Sequence, residues 1–359
     1  MQIKKKNNKS INLYIFIFIF VLFINIVSTT SSKANYFKIT DLEISEPFEL
    51  NFSKEKVIDK GFEKAFFELA SMITTSGDKK KIENISLTTI KSFIDSFTMS
   101  NERFINNKYH VKFNVNFNKK NVLSFFEREN ILPSIPKKKD LLIIPVLVDL
   151  QLDQILLFNN NIFYERWNSK KERYYLLNYI LPAEDIEDMD LLAQNSKSIE
   201  DYNFIRTIKK YDLEDFVIAI IYKNSDELRI LSKIQLNETY KIDNKKFNKI
   251  DLSKESDVDF ILTSLKVTYE NYWKNINQIN TSIKLSLTIS INANEHNKIK
   301  FFENTLNELD LVSNFKILKL NNINIYYKIV YNGSPNKFIN EIKSKGIDLD
   351  TQSQIWKVQ

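Results

Sequence analysis

Residues 283–292 read IKLSLTISIN, and this stretch decides the fold. Ile283, Leu285, Leu287, Ile289 and Ile291 alternate with polar residues. A period of two gives a β-strand one buried face and one wet face. The residues after it supply the topology. Ile299, Phe302, Leu306 and Leu309 recur at three- and four-residue steps and predict a helix. Phe315–Leu320 and Ile325–Tyr331 read as two strands around the turn Asn321-Asn322. Ser334-Pro335 supplies the N-cap and first turn of a second helix. That helix carries Phe338, Ile339 and Ile342, and Gly346 stands at its expected stop. Trp356 and Val358 fall in a last strand. The order β-α-β-β-α-β is the split βαβ, or ferredoxin-like, arrangement, predicted here for residues 279–359.

Toward the N-terminus, Tyr109, Val111, Phe113, Val115 and Phe117 alternate with His110, Lys112, Asn114 and Asn116, again a half-buried strand. Phe97–Ile105 is its expected antiparallel mate across the polar turn Asn106-Asn107-Lys108. Tyr36–Ile44 reads as a first strand. Ile58, Phe62, Phe66, Leu69 and Ile73 mark a helix near 54–74, with a loop beginning at Gly77. Leu87, Ile90, Ile94 and Phe97 suggest a further short helix, and Val122, Leu123 and Phe126 another. Together these predict a small α+β domain over residues 35–132.

Pro133 to Lys139, with two prolines and a lysine run, is the best linker candidate. A buried strand follows at Leu141–Val148, and Pro145 within it favours an edge position or a bulge. Phe216–Tyr222 and Leu228–Leu236, joined by Asn224-Ser225-Asp226, read as a hairpin, with helical material near 198–210 packed against it. The middle domain, 140–275, is therefore α/β in character, and the whole chain is α+β.

Lys4, Lys5, Lys6 and Lys9 precede an unbroken apolar run from Ile11 to Val27. A small-residue tail follows, with Ser32 and Ala34 at the −3 and −1 positions of a signal-peptidase site. Residues 1–34 thus read as a secretory signal and imply an exported, periplasmic chain. Retention as an inner-membrane anchor is the alternative. The run is slightly shorter than the roughly 20 residues of a spanning helix and is interrupted by Asn12 and Asn25. A bacterial lipid anchor needs a cysteine at the cleavage point, and the chain has none.

The net charge of +6 belongs mostly to this leader. Without its five lysines the chain has 46 basic and 45 acidic residues, and only six of the basic ones are arginine. Nucleic acid is not an implied partner. The lack of cysteine removes disulfides, thiolate catalysis and Cys-ligated metals. The four glycines, 61, 77, 333 and 346, cannot build a Walker loop or a dinucleotide fingerprint. His110 and His296 are too few for a His-rich metal site, and no G-x-S-x-G elbow is present. The sequence implies neither a cofactor nor a catalytic residue.

Two clusters carry candidate chemistry. Glu184, Asp185, Glu187, Asp188 and Asp190 follow Pro182. Such carboxylates can hold a hard cation such as Ca²⁺. They equally suit the first turn of a helix, and the absence of a glycine turn favours that reading. Phe163, Tyr164 and Trp167, with Tyr174 and Tyr175 beyond them, form an aromatic stretch. Ordinary core is the favoured reading, and a partner-binding surface through Phe163, Tyr164 and Trp167 is the alternative.

Several segments, in order, resemble a family of exported proteobacterial proteins catalogued as domain of unknown function 2066. They are Ala65 and Leu69, Gly77-Asp78, Glu102-Arg103, Tyr109 and Val115-x-Phe117; then Leu142-Ile-Ile-Pro145-Val146, Asn159 to Trp167, Leu181-Pro182, Asp185-x-x-Asp188, Tyr211 and Phe216–Ile221. The stretch from 159 to 167 resembles alphaproteobacterial members in particular. The resemblance covers roughly residues 36–235 and departs at Ala183, where that family often has glycine. It implies an envelope protein and carries no catalytic residue. The middle segment is also similar in outline to the amino-terminal domain of the Tol–Pal translocation protein and to periplasmic lipoprotein activators of cell-wall synthases, which bind other proteins.

The expectation is a non-enzymatic periplasmic binding or scaffold protein whose partners are envelope proteins. It would touch the membrane only through residues 11–27, and only if they stay uncleaved. The competing readings are a carboxylate-dependent cell-wall glycan hydrolase and a small-molecule or ion-binding sensor.

Overall fold

The computed structural model describes residues 37–280 and 283–359. The expected signal, residues 1–34 with its apolar run 11–27, lies outside the described residues. Among those described, no helix is long and apolar enough to cross a membrane. The described residues pack as one compact unit. Three sheets carry it, and the chain has the mixed α+β character expected of it.

The first sheet is antiparallel, in the order β1-β3-β2, from β1 (Lys38–Pro47), β2 (Ile94–Ile105) and β3 (Lys108–Phe117). The period-two stretch becomes its centre, with Tyr109, Val111, Phe113, Val115 and Phe117 all buried. Against that face lie α1 (Lys54–Ile73), N-capped by Ser53, and α4 (Lys119–Arg128), N-capped by Asn118. A Cβ at Gly61 would sit 2.9 Å from the Phe113 ring, so glycine is what lets α1 cross β3 this closely. Two short helices, α2 (Lys79–Ile82) and α3 (Leu87–Lys91), follow α1. The series expected as one helix from Leu87 to Phe97 divides: α3 stops at Lys91, and Ile94 and Phe97 belong to β2. Strand pairing with β3 outweighs the helical spacing of so short a run.

The second sheet is parallel at its centre. Its order is β5-β4-β7-β8-β9, from β4 (Lys139–Asp149), β5 (Gln154–Leu156), β7 (Phe216–Asn224), β8 (Glu227–Leu236) and β9 (Thr239–Phe247). β6 (Leu177–Ile180) also pairs with β4. Leu141, Ile143 and Leu147 of β4 face one core, and Leu142, Ile144, Val146 and Val148 face another. Burial on both sides explains why β4 is apolar at nearly every position.

Pro145 is neither on an edge nor in a bulge. β4 is internal, paired with β7 through Pro145↔Ala219, while β6 takes residues 139–142 of its other side and β5 takes 147–149. Pro145 falls in the gap between those two short strands, where the missing N–H costs no ladder bond. Its carbonyl accepts from Asn161 Nδ2 at 3.0 Å. On one side of the sheet lies α8 (Glu255–Ile276), whose Val258, Ile261, Leu262, Leu265, Tyr269 and Trp273 form the buried stripe. α5 (Ile162–Arg166) lies on the same side. The core on the other side takes Leu192 from α6 (Ile186–Gln194) and Ile208 from α7 (Ile205–Lys209).

The third sheet has the order β11-β12-β10-β14-β13. Its elements are β10 (Leu285–Asn292), α9 (His296–Glu308), β11 (Val312–Leu320), β12 (Asn324–Tyr331), α10 (Pro335–Ser344), β13 (Leu349–Asp350) and β14 (Trp356–Val358). The first four positions reproduce the ferredoxin-like order. One detail differs: β14 lies parallel to β10, where that arrangement has an antiparallel strand. After Gly346 (φ +84°) the chain passes outside as β13, turns, and returns as β14 between β13 and β10.

Residues 133–139, read as a linker, are bound into the body. Ser134 N donates to Ile73 O at 2.6 Å, Ile135 N to Asn277 O at 3.0 Å, and Trp273 Nε1 to Lys137 O at 2.7 Å. Lysines seal the joints between sheets by donating to carbonyls at helix C-terminal ends, where backbone acceptors are unfilled. Lys274 reaches Ser71 O in the last turn of α1, and Lys119 reaches Leu309 O just after α9. Arg173 adds a clamp, with Nε on Glu68 and the guanidinium on the carbonyls of Thr40 and Asp41, where β1 bulges.

Candidate functional site

Phe163 and Trp167 have no exposed surface at all and belong to the core beneath the second sheet. Asn161 builds this place. Its Oδ1 accepts from Phe163 N at 3.0 Å, which starts α5 and sends Phe163 inward. The Trp167 ring stacks on Tyr269 at 6.5 Å, with its neighbour Tyr179 edge-on. Tyr164 is half-buried, its hydroxyl on Pro182 O at 2.7 Å. The three residues are therefore packing elements rather than a partner surface.

The acidic cluster is a helix start. Asp185 caps α6, accepting from Glu187 N at 2.9 Å and Asp188 N at 3.2 Å. Lys210 bridges Asp185 at 2.6 Å and Asp188 at 2.9 Å, and Arg206 pairs with Glu187. The Lys210 hydrogen bond holds the Asp185 carboxyl below its usual range. Three of the five carboxylates, Asp185, Glu187 and Asp188, are thus paired with side-chain cations, and the described residues contain no group of three or more acidic, histidine or cysteine side chains placed to hold a metal. His110 lies partly exposed on β3, and His296 opens α9 in solvent.

Two other places have the geometry of a site. The first is a cavity of about 360 Å³ between α1, residues 75–83, residues 174–175 and α8. Glu270 and Lys274, one turn apart on α8, line it, yet Glu270 is only 2% exposed and Lys274 5%. Both Glu270 oxygens accept from Leu176 N at 3.1 Å, and one also accepts from Leu177 N at 2.9 Å. The carboxylate thereby holds the entry to β6. Burial raises the Glu270 pKa and lowers that of Lys274, each partly offset by the charge of the other. One turn earlier than Glu270, Lys266 is also buried, its ammonium on Lys170 O at 2.8 Å and near the Tyr175 and Tyr179 rings. Desolvation lowers its pKa too. α8 thus hides a Lys-Glu-Lys stripe at four-residue spacing.

The second place is the outer edge of the third sheet. Among the described residues, β11 ends that sheet and has no strand beyond it. Ile317, Leu318, Leu320 and Ile323 are each more than half exposed. Register puts Lys316 opposite Lys328, and sets Lys319, Tyr326, Ser290 and Lys357 in the next row of the same face. Asp350, beside Lys357, is the single carboxylate in these rows among the described residues. None of the four lysines is in an ion pair among the described residues. Like charges directly opposite on a sheet repel, so this face lacks its counter-charge. The other two sheets differ at their edges. On β2 the exposed Phe104 packs on Phe48 and Tyr109, whereas β9 alternates its exposed Tyr240 and Ile242 with charged residues; β2 and β11 each carry two register shifts, those of β11 between Val312 and Asn314 and between Ile317 and Lys319.

No family model matches the chain, and no curated protein matches it.

Proposed function

We propose that this chain is an exported, non-enzymatic binding protein that acts as a scaffold in the assembly or maintenance of the cell envelope. Its partner site is the β11 edge. One observation carries the reading: a nine-residue terminal strand offers unpaired backbone groups beside four exposed aliphatic side chains and a face of uncompensated lysines. Natural sheets normally shield such an edge because it templates strand addition. An extended segment can add to it, taking affinity from the main chain and specificity from alternate side chains. Charge complementarity fixes the occupant as an extended apolar segment of another envelope protein with acidic residues to meet Lys316, Lys319 and Lys328. The export signal read at residues 1–34 supports the compartment. The serial resemblance over 36–235 to exported proteobacterial proteins of unknown function points the same way.

The test is in-cell crosslinking of a carboxy-terminally tagged chain, compared with a Lys316→Glu/Leu318→Asp variant, with mass spectrometry of the adducts. Support is a defined envelope protein joined through an apolar, acidic segment and lost in a variant whose circular dichroism is unchanged. Equal capture by both chains, or none by the wild type after confirmed export, would remove the proposal.

A further inference from the structure

The cavity beneath α8 poses a separate question, because its polar floor is unevenly satisfied. The Glu270 carboxylate already meets two backbone N–H groups. The Lys274 ammonium, almost as deeply buried, makes one hydrogen bond, 2.6 Å to Ser71 O, and forms no ion pair among the described residues. An ammonium has three donors, so two have no protein acceptor. Leaving buried charged donors unmet is costly. Phe67, Ala70, Ile82, Tyr174 and Val267 supply an apolar and aromatic part of the walls, and Thr75, Ser76, Lys79, Glu83 and Asn271 also line the cavity. A volume of about 360 Å³ lies at the small end of ligand sites.

We propose that this cavity binds a small amphipathic monocarboxylate, its head on the open donors of Lys274 and its apolar body between Phe67, Tyr174 and Val267. The joint between the first and second sheets thereby becomes a ligand site. The carboxylate supplies the acceptors that Ser71 alone does not, and a charge-assisted bond there is stronger than a neutral one. The inference does not depend on the β11 edge, since the two places share no residue.

Isothermal titration of the full chain with octanoate, and with neutral octanamide of equal length, tests it. Octanoate should bind with at least tenfold preference over octanamide. Val267→Trp, which fills a half-buried wall without touching the polar floor, should weaken octanoate binding at least tenfold while leaving the circular dichroism unchanged. Lys274→Met, where folded, should abolish the preference between the two ligands. Absence of octanoate binding, equal affinity for both ligands, or unchanged binding in folded Val267→Trp would each overturn the proposal.

Discussion

Replacing Lys274 by methionine probes the buried stripe of α8 most sharply. Methionine keeps the length and apolar stem of the side chain, so packing changes little. What disappears is the 2.6 Å hydrogen bond to Ser71 O and the positive charge that opposes Glu270. A hydrogen bond to a charged group contributes about 1.5–3 kcal/mol, and loss of the opposing charge further destabilises the buried Glu270 carboxylate. Relief of the lysine's own desolvation offsets part of this, and Glu270 retains its two backbone donors, so the expected net loss is about 2–3 kcal/mol at pH 7. Glu270→Gln should cost a similar amount. The double variant should cost less than the sum of the two by at least about 1 kcal/mol, because each single change strands the other charge.

The pH dependence carries its own sign. Glu270 has a folded pKa above its unfolded value of 4.5, so the folded chain holds that proton more tightly, and stability falls as pH rises from 4.5 through the raised value. Lys274 has a folded pKa below 10.5, so its contribution to stability grows as pH rises through the lowered value toward 10.5. Without Lys274 the Glu270 pKa rises further, and protonation then relieves the stranded charge. The cost of Lys274→Met should therefore be smaller at pH 5 than at pH 7. Urea unfolding followed by tryptophan fluorescence reads this, since Trp273 adjoins the site. A cost below about 0.5 kcal/mol, independent of pH and additive with Glu270→Gln, would refute the reasoning.

Three further outcomes follow from the packing. Gly61→Ala gains about 1 kcal/mol of helix propensity but drives its Cβ to 2.9 Å from the fully buried Phe113 ring. Overpacking costs about 1–3 kcal/mol, so a net loss of about 1 kcal/mol should lower the melting temperature, and Phe113→Leu in the same chain should recover part of it. Asn161→Ala strands Pro145 O and Phe163 N together; at about 1–3 kcal/mol per buried unmet group, a loss of about 2–6 kcal/mol in chemical denaturation is expected. Trp167→Ala should cost about 3–5 kcal/mol as a core truncation. A folded Trp167→Ala chain of unchanged stability would return that residue to the surface reading.

Strands with one wet face were legible because their period carries the signal. Residues 109–117 and 285–291 alternate cleanly and lie where the pattern puts them. Caps were legible for the same local reason: Ser334 accepts from Lys337 N as the Ser-Pro pair implies. β9 gave no such signal, since TYKIDNKKF is an edge strand with little to bury. α8 is an element the expectations lack, although the regular helical period of its core stripe, Val258 to Trp273, is a local signal that could have placed it beyond the 216–236 hairpin.

The site was harder. Lys266, Glu270 and Lys274 stand at the spacing that ordinarily marks a solvated helix face. Only contacts far away in sequence, to Lys170, Leu176 and Ser71, reveal that this face is buried. Trp167 illustrates the converse. Aromatic residues suit an interface and a core equally well, and the fully buried ring on Tyr269 decides for the core. The β11 edge needed the sheet order, because the alternation in residues 312–320 does not tell which neighbours the strand has.

The most direct test of the central claim places a photoreactive benzoylphenylalanine at Leu318, with a second chain carrying it at Leu152, an equally exposed turn position beside the second sheet. Irradiation in cells should join Leu318 to an apolar, acidic segment of one defined envelope protein and leave Leu152 without that adduct. Equal yields of the same adduct at both positions, or no adduct at Leu318, would contradict strand addition at this edge.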